Sequence, residues 1–377
     1  MTKRISILFA LLVVLALALS ACGPAATPTA APTEPPTKAP TEAPPTEAPT
    51  EAPPTEAPTA VPPTNTPPPP PVCDKLADAP AAPAAGELGS AENPIVITFV
   101  PSGDTGKIAK AGGAIAECLS QMTGLVFKEE VGTSFAASIE AMGAEKAHVG
   151  FLNTFSAVLA QSKYEVFPVL LAIRKYNTNA VDPDKDMAGT PAPFYKGQFI
   201  ANVDSGIKSF ADLKDKTFCF VDPNSASGYI IPNIVLKANG IDSDTDFKAV
   251  QMAGSHNNVA IAVYKGDCDA GVTYVDVLTD SSANLAATYP DIAQKVMPFA
   301  VTDKIPNDGM QFIKNLDPKL QAIIIEGMLA MAQDPGGKAI LKSLYNYDSL
   351  TKVEANTYDG FIAVLKAAGV DPASLVK

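Results

Sequence analysis

Histidine is scarce in this chain. Two His among 377 residues cannot build a metal site from several imidazoles, and they leave few routes to a histidine-dependent active site. Five Cys stand at no close Cys/His spacing, so no metal is expected there either. Positive charge is also short. Against 40 Asp and Glu there are 28 Lys and Arg, a net of −12, and beyond residue 72 the balance is 25 against 35, a net of −10. Nucleic-acid binders draw their affinity from Lys and Arg neutralising phosphates, so that class is excluded. No Gly-x-Ser-x-Gly elbow occurs. Gly103-Asp-Thr-Gly106-Lys107 invites a phosphate-loop reading. It fails, because only two residues separate the glycines and Ile108 stands where Ser or Thr would hold magnesium. What survives there is a strand-to-helix junction whose free N–H groups face the strand ends.

Proline is abundant, but locally. Of 35 Pro, 19 fall in the 48 residues from Pro24 to Pro71. Before them, Lys3 and Arg4 precede an apolar run over 5–19 that has the length of a signal-peptide core and is too short to span a bilayer comfortably. The run ends in Leu19-Ser20-Ala21-Cys22, which resembles the lipobox of bacterial lipoproteins. We therefore expect a signal peptide over 1–21 and a lipid-anchored Cys22 on the outer face of the cytoplasmic membrane, held by about 0.8 kcal/mol per buried methylene. Residues 22–72 repeat Thr-Glu-Ala-Pro with variations. Such a segment has almost nothing to bury and reads as an extended tether of at most about 3.1 Å per residue.

After an irregular lead-in over 73–94, strands and helices alternate. Strands are expected at 95–100, 125–131, 147–151 and 166–173, with helices at 105–122, 136–142 and from 154. A polar stretch over 176–196 opens a second series. Its strands are expected at 199–203, 217–221, 247–252 and 268–274, its helices at 210–213, 225–239 and 256–264. The tail from residue 305 reads as mostly helical, with 321–332 and 356–368 the clearest helices. Repeated strand–helix units imply an α/β architecture of two lobes, each a mainly parallel sheet flanked by helices. Lobe 1 is expected over 95–197 and 304–377, lobe 2 over 198–303.

Three junctions in the second series are polar. Val221-Asp-Pro-Asn-Ser225-Ala-Ser227-Gly228 leads from a strand into a helix, where hydroxyls and unpaired N–H groups form an anion site without any formal positive charge. Met252-Ala-Gly-Ser-His256 repeats the arrangement, and Thr273-Tyr-Val-Asp276 ends a third strand. All three lie at the carboxyl ends of strands, the edge where open α/β sheets take ligands. His148, inside Ala147-His-Val-Gly-Phe151, reads as structural.

Together these motifs carry a resemblance. Tyr195-x-x-Gln-Phe-Ile-Ala-x-Val-Asp204-Ser-Gly-Ile207, Phe210-x-Asp-Leu-Lys214, Ser225-Ala-Ser-Gly228, Gly254-Ser-His256, Gly266-Asp-Cys-Asp269-Ala-Gly271 and Ile305-Pro-Asn307 resemble the phosphate/phosphite/phosphonate-binding proteins of ABC transporters. The resemblance covers residues 95–370. It implies a type II periplasmic-binding-protein fold with two crossover strands and a tetrahedral oxyanion clamped between the lobes. It implies that Ser225 and Ser227 donate hydroxyls, Gly228 its N–H and His256 a ring N–H. Tyr195 would close over the ligand, and Asp276 would accept a proton from it or meet an amine. On the first lobe it makes Ser102, Thr133, Ser134, Asn153 and Thr154 candidates. Two positions depart from the family: Ala226 removes a hydroxyl, and Phe135 replaces a frequent Tyr. Four Cys remain beyond Cys22 and allow three pairings. The family sheet order would make Cys219 and Cys268 neighbours, and Cys73–Cys118 would tie the arm to lobe 1. The expected protein is a monomeric solute receptor for a phosphorus oxyanion, without cofactor, metal or catalysis, delivering to an ABC permease. The alternatives are a ligand-sensing receptor subunit and a phosphoester-processing extracytoplasmic enzyme.

Overall fold

A computed structural model describes residues 67–354 and 356–372. The segment 1–21, the candidate lipidation site Cys22 and the tether up to residue 66 lie outside the described residues. No described helix is long and apolar enough to cross a membrane.

The first sheet holds β1 (Ile95–Phe99), β2 (Phe127–Val131), β3 (Val149–Phe151), β4 (Phe167–Lys175), a short β5 (Pro191–Ala192), β11 (Gly309–Phe312) and β12 (Ser349–Lys352). Its order is β12-β4-β11-β3-β1-β2, with β5 on β4. The second runs β10-β6-β9-β7-β8, from β6 (Phe194–Asn202), β7 (Thr217–Phe220), β8 (Ala249–Met252), β9 (Ala270–Tyr274) and β10 (Val296–Pro306). The helices that matter are α1 (Thr105–Thr123), α2 (Phe135–Gly143), α3 (Thr154–Tyr164), α4 (Ile231–Ala238), α5 (His256–Lys265), α6 (Pro318–Met331), α7 (Pro335–Tyr345) and α8 (Asp359–Ala367).

Sequence-local chemistry starts these helices. Asp104 accepts the Lys107 N–H, Ser134 the Ala137 N–H, Asn153 those of Phe155 and Ser156, and Ser255 that of Asn258. Each satisfies one or two of the donors that a helix start leaves open. Apolar runs such as Ile95-Val-Ile-Thr-Phe99 bury on both faces, as parallel strands between helix layers do.

Three expectations need correction. The sheets are mixed rather than mainly parallel: β1 pairs in parallel with β2 and β3, and β7 with β8 and β9, but β4, β6, β10, β11 and β12 pair antiparallel. The tail contains two strands, β11 and β12, as well as helices. β11 is four buried residues long, too short to show a period. The helix expected over 225–239 opens with a wide π turn, Ala226–Ile230, before α4.

The chain crosses between the sheets twice, at residue 193 and at 307–308. The strands beside these crossings, β6 and β10, pair antiparallel from Asn202–Val296 to Phe194–Pro306. These two neighbouring strands therefore carry both connections to the first sheet. Cys73 is bonded to Cys118 of α1, and Cys219 of β7 to Cys268.

Candidate functional site

A cavity of about 70 Å³ lies between the two sheets. A water needs roughly 10–15 Å³ on such a measure, so the space suits one small ion with a short tail. The lobes meet around it. His256 N–H donates to the Ser102 carbonyl at 3.0 Å, Lys107 Nζ to the Ser282 carbonyl at 3.0 Å, and Ser156 Oγ to the Asn224 carbonyl at 3.3 Å.

Lobe 2 supplies one wall. Ser225 follows the loop after β7, and its Oγ accepts the Gly228 N–H at 3.1 Å. Ile230 N–H reaches back to the Ser225 carbonyl at 3.0 Å, so the first turn is wider than an α turn. Such π turns are frequent at functional sites. The turn needs Gly228, since a Cβ there would lie 2.3 Å from Val221 Cγ2. Ser225, Ser227 and His256 all line the cavity and all are buried.

His256 begins α5 with its ring against Tyr274 at the end of β9. Its Nδ1 accepts the Tyr274 backbone N–H at 3.1 Å. That bond places the ring proton on Nε2, which stands 3.5 Å from Ser225 Oγ. Burial, and then the Arg174 charge, push the His256 pKa down to about 3. The ring is therefore a neutral donor across the physiological range.

Asp276 follows β9 at φ 70°, a left-handed conformation uncommon for a non-glycine residue. Its carboxylate accepts from Asn177 of the other lobe. Burial, with Asp280 adding to it, pushes its pKa up to about 8. Asp280 differs in that its oxygens already receive the Tyr274 hydroxyl and the Ser282 N–H and hydroxyl. Asp276 is the acid with capacity to spare.

The other expected residues divide. Tyr195, Asn153 and Ser102 line the cavity. Burial, then Asp308, push the Tyr195 phenol up to about 12, so it stays a neutral hydroxyl. Phe135 lines the cavity as an apolar face. Gly228, Thr133, Ser134 and Thr154 do not line it. Gly228 commits its N–H to Ser225. Ser134 caps α2, whose Phe135 N–H bonds Asp222 of lobe 2, and Thr154 donates to the Pro306 carbonyl at 2.6 Å. Thr133 lines a second depression near Ser255 and Asn257. His148 Nδ1 accepts the Val96 N–H at 3.1 Å, a bond inside the first sheet.

Sequence reasoning missed Arg174, Asn177, Asp280, Asp308 and Tyr345, which line the cavity, and Tyr347 behind Arg174. The site was read as lacking any formal positive charge, but Arg174 at the end of β4 lines the cavity. A signal existed: Arg4 and Arg174 are the two arginines of the chain. Among the described residues no cluster of His, Cys, Asp and Glu could hold a metal ion.

A family model described as "ABC transporter, phosphonate, periplasmic substrate-binding protein" matches residues 97–358. The phosphate-import protein PhnD of Mycolicibacterium smegmatis is 27% identical over 195 residues, 50% of this chain and 57% of that protein. The phosphonates-binding periplasmic protein of Escherichia coli is 31% identical over 165 residues, 42% of this chain and 46% of that protein. The chain thus spans about half the length of the curated relatives it matches. Two solved structures share the fold, each over 73% of this chain. One is a binding-protein component of a phosphonate ABC transporter from Pseudomonas aeruginosa, with a TM-score of 0.61 at 21% identity over 86% of its chain. The other is PhnD1 from Prochlorococcus marinus with methylphosphonate, with a TM-score of 0.61 at 17% identity over 98% of its chain.

Proposed function

The chain belongs to the family of periplasmic substrate-binding proteins of phosphonate ABC transporters, and on that footing we propose that it captures a small phosphorus oxyanion between its lobes and hands it to a membrane permease. The observation that carries this reading is the His256–Ser225 pair. A backbone N–H holds the imidazole as a neutral Nε2–H donor, beside a serine hydroxyl, in a cavity of about 70 Å³ between the lobes. Dry, neutral donors at helix starts favour an anion even in an acidic protein, because local dipoles set affinity while net charge sets steering. Asp276 adds selectivity. Its pKa of about 8 keeps it protonated at neutral pH, so it shares its proton with an oxygen of the bound oxyanion; once ionised, it meets the ammonium of an aminophosphonate. Of the ligands considered, phosphonate, phosphite and phosphate all meet these demands.

The same geometry argues against catalysis. A serine nucleophile needs a base to take its proton, and His256 Nε2 already carries one. Closure about the β6–β10 ribbon presents the loaded form to the permease. In this reading Cys22 carries the lipid, residues 22–72 set the reach from the membrane, and the protein works outside the cytoplasm as a monomer without cofactor.

A thermal-shift panel of methylphosphonate, 2-aminoethylphosphonate, phosphite, phosphate and sulfate tests the reading. A ligand at 100 times its Kd adds about 2.7 kcal/mol to stability, so at least one phosphorus anion raises the melting temperature by several degrees. No response to any phosphorus anion at millimolar concentration would refute the proposal.

A further inference from the structure

Every cation of the body except Arg174 is a lysine. That single guanidinium stands at the cavity with Ser225, Ser227 and His256. It lies between the rings of Tyr195 and Tyr347, at 5.3 and 5.2 Å from their centroids. Nη2 donates to Asp308 Oδ1 at 2.6 Å, and Nε is buried without a partner. Asp308 is occupied on its other oxygen, which receives the Tyr347 hydroxyl at 2.9 Å. The acid is therefore satisfied by the protein, and the cation is not. The two ring contacts and the Asp308 bond hold the fork in place, so its remaining donors are pre-organised. Burial alone would lower the guanidinium pKa, but Asp308 and the surrounding phenols raise it, and the group stays charged.

We propose that Arg174 is a specificity-determining residue that holds the bound oxyanion directly and sets a preference for a doubly charged anion over a singly charged one of the same shape. This rests on the oxyanion reading given above and names the charge class of its ligand. Neutral hydroxyls and an imidazole disperse one negative charge. A second charge between the lobes needs a counter-cation nearby; Lys107 and Lys175 also line the cavity, but Lys107 Nζ is committed to the Ser282 carbonyl and Lys175 is exposed. A strut that only tied the hinge would have no reason to line the cavity or to leave a buried nitrogen unpartnered. Asp308 offsets part of the cation's field, which leaves the site able to release its ligand.

The test is calorimetry on the full chain at pH 7.5 with methylphosphonate, which reaches its dianion there, and methanesulfonate, which stays singly charged. Arg174→Gln alone would strand Asp308, so the main variant is Arg174→Gln/Asp308→Asn, which keeps a neutral hydrogen-bonded pair. A charge-assisted hydrogen bond is worth roughly 10- to 100-fold in affinity. The double variant, still melting near the wild-type temperature, loses that factor for methylphosphonate and less than threefold for methanesulfonate, measured by competition. Asp308→Asn alone frees the cation and tightens methylphosphonate several-fold. Methylphosphonate affinity within threefold of wild type in the double variant would overturn the inference. So would an equal loss for both anions, or weaker binding in Asp308→Asn. Binding of no phosphorus anion by the wild type would instead sink the oxyanion reading, and this inference with it.

Discussion

Replacing Asp276 by Asn should make the unliganded protein more stable at neutral pH. The carboxyl is buried, close to Asp280, and its pKa is pushed from 3.8 up to about 8. In the unfolded chain it ionises near its ordinary value. Between about pH 4 and pH 8 the unfolded state has therefore lost a proton that the native state keeps. Stability falls with rising pH over that window, by about 1.4 kcal/mol per unit at the limit of one proton. Below pH 4 both states are protonated and the term vanishes. Above about pH 8 both are ionised and the penalty is complete. Asn has no such term, and its amide oxygen can still accept from Asn177. The melting temperature of Asp276→Asn minus that of wild type should grow by roughly 3 kcal/mol equivalent from pH 5 to pH 7. For a body of this size that is about 5–10 °C. Scanning calorimetry without ligand, in steps of half a pH unit, measures it. A difference that stays flat from pH 5 to pH 7 would refute the buried, protonated carboxyl, and with it the proton-sharing role.

Other outcomes follow from the same structure. The His256 ring should remain neutral at pH 5, with the proton on Nε2, as read by its ring nitrogen shifts. His256→Ala should weaken oxyanion binding by roughly 10- to 100-fold, while His256→Gln, which keeps an N–H donor, recovers part of it. Gly228→Ala places a Cβ 2.3 Å from Val221 Cγ2 and should lower stability by about 1–3 kcal/mol and binding with it; unchanged melting and affinity would mean that the turn tolerates the methyl group. Breaking Cys219–Cys268, whose ends are 49 positions apart, should cost about 4 kcal/mol in the chain-entropy view. Equal melting of wild type and Cys219→Ala/Cys268→Ala, with and without reductant, would mean that the bond does not form in solution.

Much of the wall on lobe 2 was legible in the sequence. Ser225 and Ser255 are helix caps, and caps are written within three or four residues of chain. Strand ends followed by helix starts place Ser225, His256 and Asp276 on one edge, whatever the detailed packing. The short strands β11 and β12 were not legible. Four residues hold no period, and their pairing with β3 and β4 is made at more than 130 residues' remove. The π turn at Ala226–Ile230 escaped for a related reason: it depends on how Gly228 closes on Val221.

By itself, then, the sequence determined the strand–helix alternation, the helix starts and the residue types at the strand ends, because these are set by local periodicity and capping. Only the tertiary structure decided the tautomer of His256, which depends on a backbone N–H eighteen residues away. It also turned the start of α2 toward Asp222, removing Ser134 from the site, and brought Arg174 to a cavity that had looked free of formal positive charge. Burial and partners across a cleft are properties of surfaces that meet, and no short window of sequence records which surfaces those are.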